Sequence, residues 1–336
     1  MTWREQRRDI RFAAGVLRRK PFQVLLQVTN RCNMQCSFCD FWPNGVAPAD
    51  ELSVADFTRI EEELSGLGTF LVSIEGGEPL VRPDLVDIVS IFAKRHIPLL
   101  YTNGWYVDGE KARALWNAGL AQVGVSIDYA TSDRHDRRRK LAGAFDRAWR
   151  AVDTLRETAP HGGAQVHVMT VLMRDNAEEF ETLLQMSARA GVGHCATLLS
   201  TRGFRRASGA EMPERGQAAR YAALWEIYPH FRMFGDYVRG IETFIEEGPM
   251  PACHAGAQSF NIDHVGNVAP CIEKIDRPFG NVRVERLKAI NDRMRDTDEV
   301  RGCQDCWTAC RGFNQSLGGG GTLRGWRDLA VRMRSV

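Results

Sequence analysis

FQVLLQVTNRCNMQCSFC, residues 22–39, joins two signals in one stretch. Its first half is apolar without strict alternation, which predicts a strand buried on both faces of a parallel sheet. Its second half places Cys32, Cys36 and Cys39 at the spacing C-x3-C-x2-C, with Phe38 just before the last cysteine. Thiolates are soft ligands suited to iron–sulfur clusters or zinc, and a saturated site of either kind takes four ligands. Three close thiols leave one coordination position for an outside ligand. The alternative is a zinc site completed by a distant residue.

The pattern of the first stretch repeats. Candidate strands follow at 69–75, 97–102, 121–128, 165–173 and 194–200, with amphipathic helical segments between them at 53–68, 84–95, 109–118, 143–157 and 176–190. Ser53 is placed to cap the first of these helices, and Asn176 with Glu179 has the look of a capping box. Six strand–helix repeats predict a parallel α/β fold, a partial (β/α)6 TIM-like barrel or an open doubly wound sheet. In either, chemistry collects at the C-terminal ends of the strands, where the thiol loop lies.

The chain has 336 residues, enough for a full core, and a formal net charge of +2, too small to argue for a nucleic-acid partner. No apolar run reaches membrane-spanning length, and the N-terminus lacks the apolar core of a secretory signal. With nine cysteines in clusters, this points to reduced thiols and a cytoplasmic protein. Residues 1–21 form a basic extension, either a helix packed over one end of the fold or an interfacial helix touching a membrane surface. The expected divisions are a core over 22–202, a helical linker over 203–250, a small Cys-rich domain over 251–316 and a flexible basic tail over 317–336, entered through the GGGG run at 318–321.

The second strand ends in SIEGGEP, residues 73–79. Paired glycines there allow a close approach to the backbone, and Glu78 adds a carboxylate able to pair with an ammonium. Together with C-x3-C-x2-C one strand earlier, this turn resembles the radical S-adenosylmethionine (SAM) enzymes over residues 22–200. The resemblance implies that Cys32, Cys36 and Cys39 hold a 4Fe-4S cluster whose open iron binds SAM. It also implies reductive cleavage to a 5′-deoxyadenosyl radical that abstracts hydrogen from a substrate. By the same resemblance Phe38 lies near the adenine and Gly76, Gly77, Glu78 and Pro79 receive the methionyl amino group. Thr102 and Asn103 lie on the SAM side, and Ser126 and Asp128 near the ribose and carboxylate. His135-Asp136-x2-Arg139 resembles a further family element, with Arg139 facing the SAM carboxylate. Lys140 replaces that element's usual glycine, and a solvated charge run over 137–140 is the other reading.

Cys253, Gly266 and Cys271 followed by Cys303-x2-Cys306-x3-Cys310 resemble the auxiliary-cluster domains called SPASM and twitch. The five cysteines imply one second, auxiliary 4Fe-4S cluster on Cys253, Cys271, Cys303 and Cys306. Cys310 is then an alternate ligand or a free thiol, and a structural zinc site is the competing reading. Cys195 reads as a small core residue or as a hydrogen donor to a substrate radical, a role Cys310 shares. Tyr129 and Glu75 stand at strand ends as substrate contacts, and His167 and His194 as core histidines.

These readings predict a radical SAM tailoring enzyme that performs dehydrogenation or bond formation. A radical epimerase is second and a non-catalytic electron carrier third. The expected partners are a small-molecule, lipid or peptide substrate and a donor such as flavodoxin or ferredoxin, with no nucleic acid. The short stretch before the cysteine loop argues against a separate peptide-recognition domain ahead of it.

Overall fold

The computed structural model describes residues 3–161, 165–204, 211–295, 297, 300 and 302–332. Parts of the expected linker, over 205–210, and of the tail, over 333–336, lie outside the described residues.

Strand β1 (Gln23–Thr29) is buried at every residue and lies inside a nine-stranded sheet. On one side of it β2 (Leu71–Gly76), β3 (Ile97–Thr102), β4 (Gln122–Ser126), β5 (Val166–Leu172) and β6 (Gly193–Leu198) follow in chain order, each parallel to the last. The sheet does not close on itself. On its other side β1 pairs in parallel with β7 (Ser259–Ile262), which continues antiparallel into β8 (Asn267–Ala269) and β9 (Gly280–Asn281). The Cys-rich region therefore extends the first sheet directly.

Alternation along each strand sorts the two faces. Val24, Leu26, Val28, Val72, Ile74, Val123, Val125, Phe260 and Ile262 join the core packed under the helices. Leu25, Gln27, Glu75 and Asn261 point to the opposite, inner face.

Helix α1 (Trp3–Leu17) buries Phe12 and Val16 beside Phe22, so the basic extension is a helix packed on the fold. Helix α2 (Val54–Leu67) starts at Ser53 as expected, with Asp56 closing the capping box. Helices α3 (Leu85–Ala93), α4 (Gly109–Asn117), α5 (Ser132–Arg139) and α6 (Ala144–Thr158) cover the next crossovers. Helix α7 (Phe180–Arg189) begins four residues after Asn176, because 174–179 form a 3-10 turn. Asn176 is buried there and donates to the carbonyls of Asp128 and Val171, while Glu179 accepts from the Ala130 amide. Both side chains brace the loop after β4 instead of capping α7.

Beyond β6 come α8 (Gln217–Ile227), α9 (Gly235–Glu247), α10 (Leu287–Arg295), α11 (Ala309–Leu317) and α12 (Leu323–Val331). Residues 323–331, expected as part of a flexible tail, are helical. Trp326 and Leu329 pack on the apolar cluster of α8, α9 and α11, and Asp328 accepts from the Gly235 amide. Apolar spacing within a short window is a weak signal for a helix this short, so sequence pattern alone gave it no weight.

Candidate active site

The glycine turn after β2 is built against the start of the cysteine loop. Gly76 has φ +133°, and a Cβ there would collide with the Thr29 carbonyl; one on Gly77 would collide with the carbonyls of Asn30 and Arg31. The amides of Gly77 and Glu78 donate to the carbonyls of Thr29 and Arg31 at 2.8 and 2.9 Å. The close approach these glycines allow is thus by the chain's own carbonyls, which fixes the loop that carries Cys32.

Glu78 is fully buried. Its Oε1 accepts from the Leu80 amide at 3.0 Å and from Thr102 Oγ1 at 2.8 Å; its Oε2 accepts from the Asn103 amide at 2.7 Å. Burial raises its pKa, and these donors work against that rise. The carboxylate clamps the ends of β2 and β3 together, with Pro79 buried in the turn that follows. Asn103 then reaches the cysteine loop, donating to Asn33 Oδ1 at 2.8 Å with its Nδ2 4.0 Å from Cys32 Sγ.

A network that motif spacing does not announce holds the loop from below. Glu51, buried, accepts from Thr29 Oγ1, from Arg31 Nε and Nη2 at 3.0 and 2.9 Å, and from Arg82 Nη1 at 3.3 Å. Arg82 also donates to the carbonyls of Val28 and Leu52, both at 3.0 Å. Charged residues in a loop read as solvated from sequence, and nothing local marks Glu51 or Arg82 as buried.

The opposite wall comes from β4 and α5. Arg139 Nε and Nη2 donate to Asp128 Oδ2 at 2.9 and 2.6 Å, while Asp128 Oδ1 accepts from the Val171 amide at 3.0 Å. The guanidinium lies 5.5 Å from the Phe38 ring centroid, which brings Phe38, Asp128 and Arg139 together. Arg139 is buried, so the solvated-run reading fails for it, while Arg137 is exposed and pairs with Asp133. Lys140 takes φ +52°, the left-handed conformation for which a glycine is suited, at a backbone cost of about 1 kcal/mol. The replacement keeps the geometry that ends the helix. His135 is buried, its pKa lowered to about 4, so its neutral Nδ1 accepts from the Asp128 amide at 3.3 Å.

Cys32, Cys36 and Cys39 border an apolar wall of Met34, Phe38, Tyr129, Met173 and Leu199. Burial pushes the Cys32 thiol up to about 12 and raises that of Cys36, which Arg139 opposes. Thiolates are disfavoured there unless a cation takes up their charge, and one guanidinium does so only in part. This donor set fits an iron–sulfur cluster.

Several candidates do other work. Ser126 ends β4, half-buried, in register with Met169; Glu75 is buried in register with Gln27. Tyr129 donates to Asp175 at 2.8 Å and accepts from Arg138 Nε at 3.0 Å. His194 is a satisfied core histidine between Thr170 Oγ1 and Ser187 Oγ, at 3.0 and 2.6 Å. His167 is buried and neutral, its pKa lowered to about 3, with no hydrogen-bond partner for Nδ1. The Cys195 thiol donates to the Arg232 carbonyl at 3.4 Å, and burial pushes it up to about 12.

A second cavity is lined by Cys253, Cys271, Cys303, Cys306 and Cys310, all five expected from the sequence. Among the described residues no three His, Cys, Asp or Glu side chains converge closely enough to share a single ion. Thiols lining one cavity are a donor set suited to an iron–sulfur cluster. Cys39 of the first thiol group and Cys310 of the second both pack against one apolar cluster of Leu25, Phe41, Ile272 and Ile275.

Residues 26–187 match the model of the radical SAM superfamily, and residues 253–308 match that of SPASM, an iron–sulfur cluster-binding domain. The mycofactocin maturase MftC of Mycobacterium ulcerans is 29% identical over 87% of this chain and 82% of its own length. The PqqA peptide cyclase of Gluconobacter oxydans is 28% identical over 87% of this chain and 86% of its own. For the AdoMet-dependent heme synthase of Methanosarcina barkeri the identity is 26%, over 85% and 88%. Streptococcus suis SuiB bound to S-adenosylmethionine aligns over 89% of this chain and 70% of its own, with a TM-score of 0.63 and 14% identity. The enzyme anSMEcpe with AdoMet and a peptide aligns over 93% and 98%, with a TM-score of 0.61 and 15% identity. These structures share the fold. With the cysteine loop, the glycine turn and the second thiol cavity in place, the chain belongs to the radical SAM superfamily: it is an enzyme that uses SAM and a 4Fe-4S cluster, and it carries a second iron–sulfur site in a SPASM domain.

Proposed function

We propose that this enzyme performs a net oxidation, a dehydrogenation or bond formation, on a substrate held at the inner face of the sheet. In this reading Cys32, Cys36 and Cys39 hold the SAM-binding cluster, and Phe38, Gly76–Pro79, Thr102, Asn103, Ser126, Asp128 and Arg139 frame SAM. The bound cofactor supplies a 5′-deoxyadenosyl radical, and the protein's part is to place the substrate and exclude water. The observation that carries the reading is the apolar cluster of Leu25, Phe41, Ile272 and Ile275, with both Cys39 and Cys310 packed against it. Cys253, Cys271, Cys303 and Cys306 would hold an auxiliary cluster, which when bound would supply an electron acceptor for a substrate radical. A flavodoxin or ferredoxin supplies the electron for SAM cleavage.

Peptide substrates come first, because relatives named a maturase and a peptide cyclase align over most of their length. A tetrapyrrole comes second, from the relative named a heme synthase. The test is anaerobic incubation with SAM, dithionite and candidate substrates in deuterated water. An oxidised product two hydrogens lighter, without solvent deuterium, is expected. An isomer of the substrate carrying one deuterium at carbon, and heavier by that exchange alone, would instead favour epimerisation with Cys195 or Cys310 as donor. Half-buried Cys195, held as a thiol, is the specific observation behind that second reading.

The N-terminus adds a reading about place. Trp3, Ile10 and Leu17 recur every second turn on the outer side of α1 and are 68, 68 and 62% exposed. Residues 1–20 hold seven Arg and Lys against two acids, so more than the whole net charge of +2 arises there. An apolar stripe with a basic flank suits the surface of an anionic bilayer. No described helix is long and apolar enough to cross a membrane. Co-sedimentation with phosphatidylglycerol vesicles, weakened at least about 10-fold by Trp3→Ser/Ile10→Ser/Leu17→Ser, is the expected result. Equal pelleting of both proteins would rule this surface out.

A further inference from the structure

Arg311 lies in the first turn of α11 and is 2% exposed. It lines the cavity of the five cysteines. Its Nη2 donates to the Pro251 carbonyl, and its guanidinium lies 5.4 Å from the Trp307 ring centroid. Its Nε and Nη1 are buried without a hydrogen-bond partner. Burying a cation with two idle donors is unfavourable unless an anion takes them. Of the two carboxylates lining the same cavity, Glu273 accepts from Ser200 Oγ and Asp305 pairs with Arg202 and Lys274.

The lining gives that anion its place: Cys253, Cys271, Cys303, Cys306 and Cys310 border the cavity that Arg311 also borders. Cys310 and Arg311, both in the first turn of α11, line that same cavity. A cluster held by four thiolates is anionic and gains a further negative charge on reduction. A fixed positive charge beside it therefore favours the reduced state.

We propose that Arg311 is the electrostatic anchor of the auxiliary cluster, donating from Nε and Nη1 toward its sulfurs and holding its reduction potential up. This rests on the reading that these cysteines carry that cluster. Arg311 acts through the cluster, as a positioning residue, and does not itself touch substrate.

The experiment uses the full chain with Cys32→Ala/Cys36→Ala/Cys39→Ala, so that only the auxiliary site carries iron. About four irons per chain tests the underlying reading; a parent that holds none overturns it and the proposal with it. Dithionite supplies one electron to the cluster in a redox titration followed by electron paramagnetic resonance. Arg311→Met is expected to shift the reduction equilibrium about 10-fold toward the oxidised state, a fall of about 59 mV for one electron. Arg311→Lys keeps the charge and is expected to restore most of it. A midpoint in Arg311→Met equal to the parent's would overturn the proposal. If Arg311→Met loses its iron while Arg311→Lys retains it, the charge itself holds the cluster and the proposal stands. If neither retains iron, the residue's role is packing against Trp307, and the proposal fails.

Discussion

Cys36→Ala is expected to abolish SAM cleavage while leaving half of the iron in place. Cys36 is buried in the apolar wall between Met34 and Phe38, and Arg139 is the cation whose charge favours its thiolate. Changing partners one step removed from a metal costs 10–100-fold, so losing a ligand should lower 5′-deoxyadenosine formation by more than about 100-fold. Iron should fall from about eight to about four per chain, because the second thiol ring shares no ligand with the first. Formation of 5′-deoxyadenosine at the unmodified rate would contradict the assignment of the loop. Loss of all the iron would contradict the independence of the two sites.

The second large effect is on the wall opposite. Asp128→Ala should destabilise the protein by about 3–5 kcal/mol, the cost of breaking a buried ion pair from one side. It strands Arg139, which is buried and has Phe38 as its other neighbour, and it frees the Val171 amide that Asp128 Oδ1 had satisfied. Asp128→Ala/Arg139→Met removes the stranded charge as well, so it should be more stable than the single variant despite carrying two changes. Urea unfolding midpoints of the three proteins check this ordering. A single variant within about 1 kcal/mol of the parent would mean that the pair contributes little and that Arg139 is free to serve SAM alone.

Much of this site's framework is legible in the sequence. The thiol spacing, the paired glycines and the Asp128–Arg139 elements are local patterns, each set by a short-range demand: ligand reach, a crowded turn, a charge at a helix end. The strands β1 to β6 announce themselves because burial on both faces leaves no room for polar alternation. What stayed hidden depends on distant partners. Glu51 and Arg82 look like surface charges until β1 and the loop before α2 come together. Asn176 carries the signature of a helix cap and is instead used by the loop after β4. Arg311 follows Cys310 in sequence, yet only the fold reveals that its guanidinium has idle donors. The physical reason given for the glycine pair was also incomplete. It is the chain's own carbonyls, at Thr29, Asn30 and Arg31, that a side chain at either glycine would strike.

The seam between β1 and β7 has a consequence for how the protein is made. Gln27 and Asn261 face each other there, 234 residues apart in the chain. At 5–20 residues per second, a ribosome takes about 12–47 s to deliver the second strand after the first. For that interval the edge of β1 bears unpaired backbone groups, an open template for a neighbouring chain. The strand that leads into the first cysteine loop is therefore an open edge of the nascent protein, and stalled or truncated translation before residue 262 should yield aggregates nucleated there.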